Sequence, residues 1–399
     1  MKHKIFKLQG KVQHYAWGGY EFIPSLLGFE NIENKPCAEY WMGAHPTASA
    51  MLETEDGLQE WYHLINQNPL MHLGERVYRR FEELPYLFKV LDVREMLSIQ
   101  VHPAKEEAKK GFETEEATGV PIDAPHRNYK DKNHKPEVMV ALGEFWLLHG
   151  FKKEDELQEV LNTVEEFNFL SKIFARDGYY GLYKTVMQMT QEEADLLLLP
   201  VIKSEITKAH TKDKPGYWIS KLYKGMLPDS NVDKGTFSIY FFNIVRLKEG
   251  EAVFQGAGVP HAYLEGQNVE LMANSDNVLR GGLTSKHIDV PELLKHMVFD
   301  GTEPDILKGE VSGHEIVYKL PVEDFGISAI KLENGQKYVS ESESAEIFLV
   351  TSGEVLCLPL ICRKGEAFVI LPGTKYTISA VENAVLYKAF VPLEQKARN

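Results

Sequence analysis

The hydrophobic period of this chain changes twice, and that limits its architecture more than any single residue does. Residues 86–103 and 137–150 carry alternating or continuous apolar text, with Leu97, Ile99 and Val101 on one side and Ser98, Gln100 and His102 on the other, as in β-strands. At Lys152 the rhythm becomes helical: Leu157, Val160, Leu161 and Val164 recur at i, i+3, i+4 and i+7. Helical character persists to about Tyr223, before the turn signal Pro228-Asp229-Ser230-Asn231. Residues 236–246 and 251–254 then read as β. Asp289, with Glu292 three residues on and Pro291 between them, announces one more helix, and residues 315–399 return to β with Gly and Pro turns. The expectation is a mainly β fold interrupted by an α-helical insertion. At 399 residues it exceeds one hydrophobic core, so two or three units are expected.

An internal echo refines this. Gly250-Glu251-Ala252-Val253-Phe254 and then Gly258-Val259-Pro260-His261 match, 115 positions later, Gly365-Glu366-Ala367-Phe368-Val369 and then Gly373-Thr374-Lys375-Tyr376. Both read as the second half of a small β-barrel motif, a strand and a Gly turn leading to a returning strand. Tyr376 stands where the first copy has His261, which predicts a C-terminal barrel without a metal.

A formal charge of -14 argues against nucleic acid or an anionic membrane as partner, so an anionic ligand needs a local cluster of Lys and Arg. The Met1-Lys2-His3-Lys4 start has no apolar stretch, and the longest apolar run, residues 196–202, is too short for a bilayer; a cytoplasmic location is expected. Cys37, Cys357 and Cys362 show no C-x-x-C spacing and read as packing residues of a reducing compartment.

Four residues from three places read as one metal site. Gln100 and His102 project from one strand face, Glu137 begins a second strand, and His261 follows a Gly-x-Pro turn. Two imidazoles, a carboxylate and an amide oxygen suit a catalytic Zn²⁺ with an open position, although other divalent metals tolerate the set. Taken singly, each has an ordinary alternative as a structural histidine or a solvated carboxylate. Lys89, Lys135, Glu270, Asp276, Arg280 and Lys286 add polar groups nearby in sequence. Arg280 precedes Gly281 and Gly282, so its planar cation is free for a phosphate or an enediolate, or for a plain surface ion pair. Trp17-Gly18-Gly19 and Trp41-Met42-Gly43 suit either a sugar-binding rim or a core.

Together these motifs resemble the type I phosphomannose isomerases. The resemblance rests on Tyr15-Ala16-Trp17-Gly18-Gly19, Ala38-Glu39-Tyr40-Trp41-Met42-Gly43-Ala44-His45-Pro46, Ser98-Ile99-Gln100-Val101-His102-Pro103, Asn133-His134-Lys135-Pro136-Glu137, Pro260-His261-Ala262-Tyr263-Leu264 and residues 275–287, in that order. It implies a cupin-type double β-barrel (jelly-roll). Residues 1–151 and 229–310 would form the catalytic barrel, 152–228 a helical domain and 311–399 a metal-free barrel. It implies interconversion of mannose 6-phosphate and fructose 6-phosphate with one zinc per subunit, in a monomer or weak homo-oligomer. The implied metal ligands are Gln100, His102, Glu137 and His261, and the implied catalytic arginine is Arg280. Trp17, Glu39, Ser98, Lys135, Tyr263, Glu270, Asp276 and Lys286 match positions lining the family's pocket, and Lys89 joins them as a candidate substrate contact. Ser285 where the family often has Pro, and His287 where it has a basic or aromatic residue, depart from the pattern around the phosphate contacts.

Isomerisation through an enediol needs a proton carrier. Glu270 ranks first, ahead of a metal-bound water, and His134 beside Lys135 is a candidate for ring opening. Lys135, Lys286 and Arg280 are the candidate phosphate cations. The competing readings are an isomerase of unphosphorylated sugars, a non-catalytic sugar-phosphate sensor and, less compatible with the amide ligand, a metal-dependent dioxygenase.

Overall fold

The computed structural model describes residues 4–224 and 229–392; the start before Lys4 and the Pro228 end of the turn signal lie outside the described residues. The strand-like text becomes the strands Tyr86–Val93, Ile99–Val101, Glu137–Ala141 and Phe145–Phe151, and the change of period at Lys152 becomes the helices Glu154–Thr163, Asn168–Gln188, Gln191–Glu205 and Pro215–Leu222. Thr190 begins the third of these helices with a reciprocal cap: its hydroxyl accepts from the Glu193 amide and the Glu193 carboxylate accepts from its own. Asp289 accepts from the Glu292 amide at 3.0 Å and starts Val290–His296.

Residues 236–241 correct the strand expectation. Gly235–Phe241 is a helix and the strand begins only at Phe242. Every residue of that helix is buried, so it has no polar face to show a helical rhythm, and a short apolar run looks the same in either conformation.

Among the described residues the strands form three sheets. A ten-stranded sheet is organised around the long strand His261–Ala273, which pairs with Tyr86–Val93, Ile99–Val101, Glu137–Ala141 and Phe145–Phe151. A nine-stranded sheet takes most of its strands from beyond residue 310, but its far edge is N-terminal: Ile5–Gln9 pairs with both Ala367–Ile370 and Met51–Thr54. The ladders are open sheets rather than the expected closed barrels. The ends of the nine-stranded sheet, Glu310–Ser312 and Gly57–Glu60, pair on one side only among the described residues, with Glu315–Tyr318 and Met51–Thr54. One core packs Trp61, Phe88 and Phe325 where the ten-stranded and nine-stranded sheets meet, and another packs Phe151, Phe167, Trp218 and Phe242 between the ten-stranded sheet and the helices. Among the described residues no helix is long and apolar enough to cross a membrane. All three cysteines are free and buried, as packing residues should be.

The echo is structural. Ala252–Gln255 and Ala367–Ile370 are strands at the same offset. In the second copy the Tyr376 hydroxyl donates to Glu346 at 2.7 Å, and Lys388 supplies the buried cation, 2.5 Å from Glu315. Burial pushes the Glu346 carboxyl up to about 7 against the pull of Lys388, with Glu315 and Glu343 adding to the rise. The folded protein therefore holds this proton more tightly than the unfolded chain, and stability falls as pH rises from about 4.5 to about 7. Glu346→Gln keeps an acceptor for Tyr376 and removes that slope. We expect it to stabilise the protein at pH 8 by up to about 3 kcal/mol and to give no gain at pH 4, as read from urea midpoints. Equal midpoints at pH 8 would refute this.

Candidate metal centre

Register brings the candidates together. Within the ten-stranded sheet Gln100 lies opposite His261 on one side and opposite Arg280 on the other, so three candidates share one row across three strands. Glu137 lies opposite both Gln255 and Met272. His102, one step beyond its strand, and His261, at the start of its own, face Glu137 from two sides.

Each imidazole is oriented from behind. His102 Nδ1 donates to the Asn277 carbonyl at 2.8 Å, and His261 Nδ1 donates to the Val259 carbonyl at 2.9 Å, which leaves both Nε2 lone pairs pointing inward. His102 Nε2 is 3.5 Å from Glu137 Oε1 and His261 Nε2 is 3.3 Å from Glu137 Oε2. All three residues are buried, and their donor atoms lie within 4.8 Å of one another. Among the described residues His102 Nε2 finds no hydrogen-bond partner. Burial holds the His102 imidazole neutral, down to about 4. Although burial works to raise it, the Lys135 ammonium holds the Glu137 carboxyl well below the usual carboxylate range. Two imidazole nitrogens and a carboxylate converging in a buried space are a costly arrangement for a protein alone and a fitting one for a cation. Gln100, half-buried, lines the same cleft of about 50 Å³ with Glu39, Lys89, Lys135, Tyr263 and Glu270.

The floor of that cleft is a charged lattice. Lys89 is opposite Glu270 in one ladder and opposite Trp41 in the next. Its ammonium sits 3.3 Å from Glu270, 3.6 Å from Glu39 and 5.0 Å from the centre of the Trp41 ring. Burial would strip its proton, but Glu39 and Glu270 hold it on. Burial raises the Glu270 carboxyl against the opposing Lys89, and Tyr263 donates to its second oxygen at 2.8 Å. A buried carboxyl with a raised pKa, gripped by two donors, has the character of an acid–base group.

The remaining candidates divide. Lys135 Nζ is 3.0 Å from Glu137 and belongs to the cleft. Asp276 lies 3.5 Å from His45. Ser98 is half-buried immediately before the Ile99–Val101 strand. Trp17 stacks on Tyr15 at 5.9 Å and packs partly against the apolar cluster that includes Tyr263. His134 is not brought in: its ring bonds Asp324 at 3.0 Å and lines a separate surface groove, because neighbours in extended chain project oppositely and Lys135 takes the inward direction. Arg280 and Lys286 have no carboxylate partner among the described residues. Burial lowers both cations, and Arg280 lowers Lys286 further by repulsion, as two cations without an anion would. A groove of about 750 Å³ between Arg76, Arg80 and residues 317–326 shares no lining residue with this cleft, and its Arg79 and Arg80 are engaged in exposed ion pairs.

Two residues were missed by sequence reasoning. Asn277, wholly buried, gives its carbonyl to His102 while its side chain accepts from the Lys130 amide and donates to the carbonyls of Asp131 and Asn133, so it fixes one ligand and the segment leading to another. Its place inside the 275–287 motif was the available signal. Gln255, also wholly buried, faces Glu137 across the ladder, with its side-chain amide 3.3 Å from the Tyr263 hydroxyl. Only register reveals it.

Residues 5–154 match the family model for the phosphomannose isomerase type I catalytic domain. The mannose-6-phosphate isomerase of Escherichia coli (strain K12) is 37% identical over 96% of both chains, and that of Homo sapiens is 34% identical over 88% of both. A crystal structure of a mutant phosphomannose isomerase from Salmonella typhimurium superposes with a TM-score of 0.89 at 35% identity, covering 98% of this chain and 100% of that one. A zinc-bound holo mannose 6-phosphate isomerase gives 0.88 with the same identity and coverage. The chain belongs to the type I phosphomannose isomerase family.

Proposed function

We propose that this protein is a zinc-dependent aldose–ketose isomerase that interconverts mannose 6-phosphate and fructose 6-phosphate through an enediol. The observation that carries the reading is the convergence of His102, Glu137 and His261 beside the Lys89–Glu270 pair. His102, Glu137 and His261 would hold the zinc, with Gln100 completing the set. When bound, the ion supplies a Lewis acid for the sugar's oxygens.

The chain's own groups carry the proton. Glu270 takes it from C2 of the open-chain aldose and returns it to C1, while the C2 hydroxyl gives up its proton and the C1 oxygen gains one. Lys89 and Tyr263 hold Glu270 in place and set how readily it gives the proton back. Arg280, in line with Gln100 across the sheet, faces the developing oxyanion, and Lys286 takes the phosphate. Lys135 orients Glu137. Trp17, Glu39, Ser98 and Asp276 line the approach. His134, turned to Asp324, takes no part in ring opening.

At the level of the whole molecule we read the two large sheets as the walls of two cupin-type halves, which the echoed strands support. Residues 1–151 and 229–310 would form the catalytic half, 152–228 the helical block and 311–399 the metal-free half, with Ile5–Gln9, Met51–Thr54 and Gly57–Glu60 crossing into the last.

A coupled assay of mannose 6-phosphate turnover, before and after chelation and zinc restoration, tests the reaction; no turnover by zinc-replete protein would sink it. Within the reading, Lys286→Ala raises KM about tenfold with kcat little changed, whereas Arg280→Ala lowers kcat about 100-fold. The reverse pattern would exchange their roles.

A further inference from the structure

The loop that carries the two proposed substrate cations is bonded to the helical block, where Tyr183 of the long helix donates to the Gly281 carbonyl at 3.4 Å, and to the segment that leaves it. Asp233 lies where the chain leaves the helices, and its carboxylate accepts three main-chain amides: Gly235 at 2.6 Å, Leu283 at 2.8 Å and Thr284 at 2.9 Å. The last two belong to the loop that carries Arg280 at one end and Lys286 at the other. Thr284 passes the constraint on, since its hydroxyl accepts from the Lys286 amide at 3.1 Å.

The two backbones also meet more closely than side chains allow. A Cβ on Gly282 would lie 2.4 Å from the Gly235 Cα, and one on Gly235 would lie 2.6 Å from the Leu283 nitrogen. Leu283 itself is left-handed, with φ at 54°, a conformation a leucine keeps only when its surroundings impose it. The Asp233 carboxylate supplies that imposition through charge-assisted bonds to the amides on either side of the bend.

The segment bearing Asp233 is held from the helical side with equal care. Asp195 accepts from the amides of Asn231 and Val232, each at 2.8 Å, and Gln191 donates to the Val232 carbonyl at 2.9 Å. Lys234 donates to the carbonyls of Met187 and Met189 at the end of the long helix. A continuous set of hydrogen bonds therefore runs from residues 187–195 to the loop of the two unpaired cations. The Asp233 carboxylate is occupied by amides, so it shapes the loop without neutralising Arg280 or Lys286.

We infer that Asp233 is a positioning residue for the phosphate end of the substrate, and that through it the helical block sets where Lys286 stands relative to Arg280. The inference rests on the assignment of those cations to a sugar phosphate.

The test compares the parent with Asp233→Ala, Asp233→Asn, Lys286→Ala and the Asp233→Ala/Lys286→Ala double variant, each zinc-loaded and assayed with mannose 6-phosphate. Calorimetric binding of inorganic phosphate is measured alongside. Asp233→Ala is expected to raise KM and weaken phosphate binding about tenfold while kcat changes less than about threefold and zinc content stays that of the parent. Asp233→Asn, which keeps the acceptor for Gly235 and Leu283, falls between the two and covers the case in which the alanine variant does not fold. In the Lys286→Ala background the Asp233 substitution adds less than about twofold, since both act on one contact. Parent-like KM and phosphate binding in either Asp233 variant, or full additivity in the double variant, would overturn the inference. If the parent binds phosphate but turns nothing over, the isomerase reading fails while the phosphate titration still decides the role of Asp233.

Discussion

Replacing His102 with alanine gives a protein that no longer retains zinc and whose turnover falls by about three orders of magnitude. The imidazole is wholly buried, its position is set by the Asn277 carbonyl, and its inward nitrogen has no hydrogen-bond partner among the described residues. Its loss leaves Glu137 and His261 as the remaining tightly clustered donors, and methyl cannot replace a lone pair. Asn277→Ala leaves all the donors in place and loosens one of them, so it weakens zinc affinity by about 10–100-fold rather than abolishing it. Elemental analysis after dialysis against a graded chelator separates the two. A His102→Ala protein that keeps one zinc per chain and full activity would remove the basis for the proposed centre.

The largest effect on stability is expected at Phe151. Its ring is wholly buried and meets Phe242 at 4.8 Å, Tyr179 at 5.3 Å, Tyr183 at 5.6 Å and Phe299 at 6.0 Å. Those partners come from the sheet, from the long helix and from the segment after Val290–His296, so one side chain joins three parts of the molecule. Phe151→Ala should cost about 4 kcal/mol, the transfer energy of the ring plus the cavity it leaves, and Phe151→Leu should cost about half as much. Urea midpoints with an unchanged slope would show it; a loss below about 1 kcal/mol would mean that the neighbours collapse into the space.

How far the sequence could be read follows from which interactions are local. Gln100 and His102 were legible because strand alternation alone puts them on one face, and the helical block because Leu157, Val160, Leu161 and Val164 keep a helical period. Glu137 and His261 needed the family motifs, since nothing in their spacing says that distant segments converge. Gln255 was invisible because its role depends on lying opposite Glu137, a matter of register between strands far apart in the chain. The direction of His134 turned on a partner, Asp324, nearly two hundred residues away. The helix Gly235–Phe241 was misread because burial on all sides erases the pattern that distinguishes helix from strand.

The strand Ile5–Gln9 imposes an order of events on biosynthesis. Ile5 faces Ile370, so the chain through Ile370 must leave the ribosome before that pairing can form. Until then the strand has only Met51–Thr54 to lean on, through two residue pairs. The ten-stranded sheet, whose strands are all made by Gly282, can assemble first, and the nine-stranded sheet closes last. A nascent chain halted at residue 310 should therefore protect the amides of Tyr86–Val93 from hydrogen exchange while leaving those of Ile5–Gln9 open.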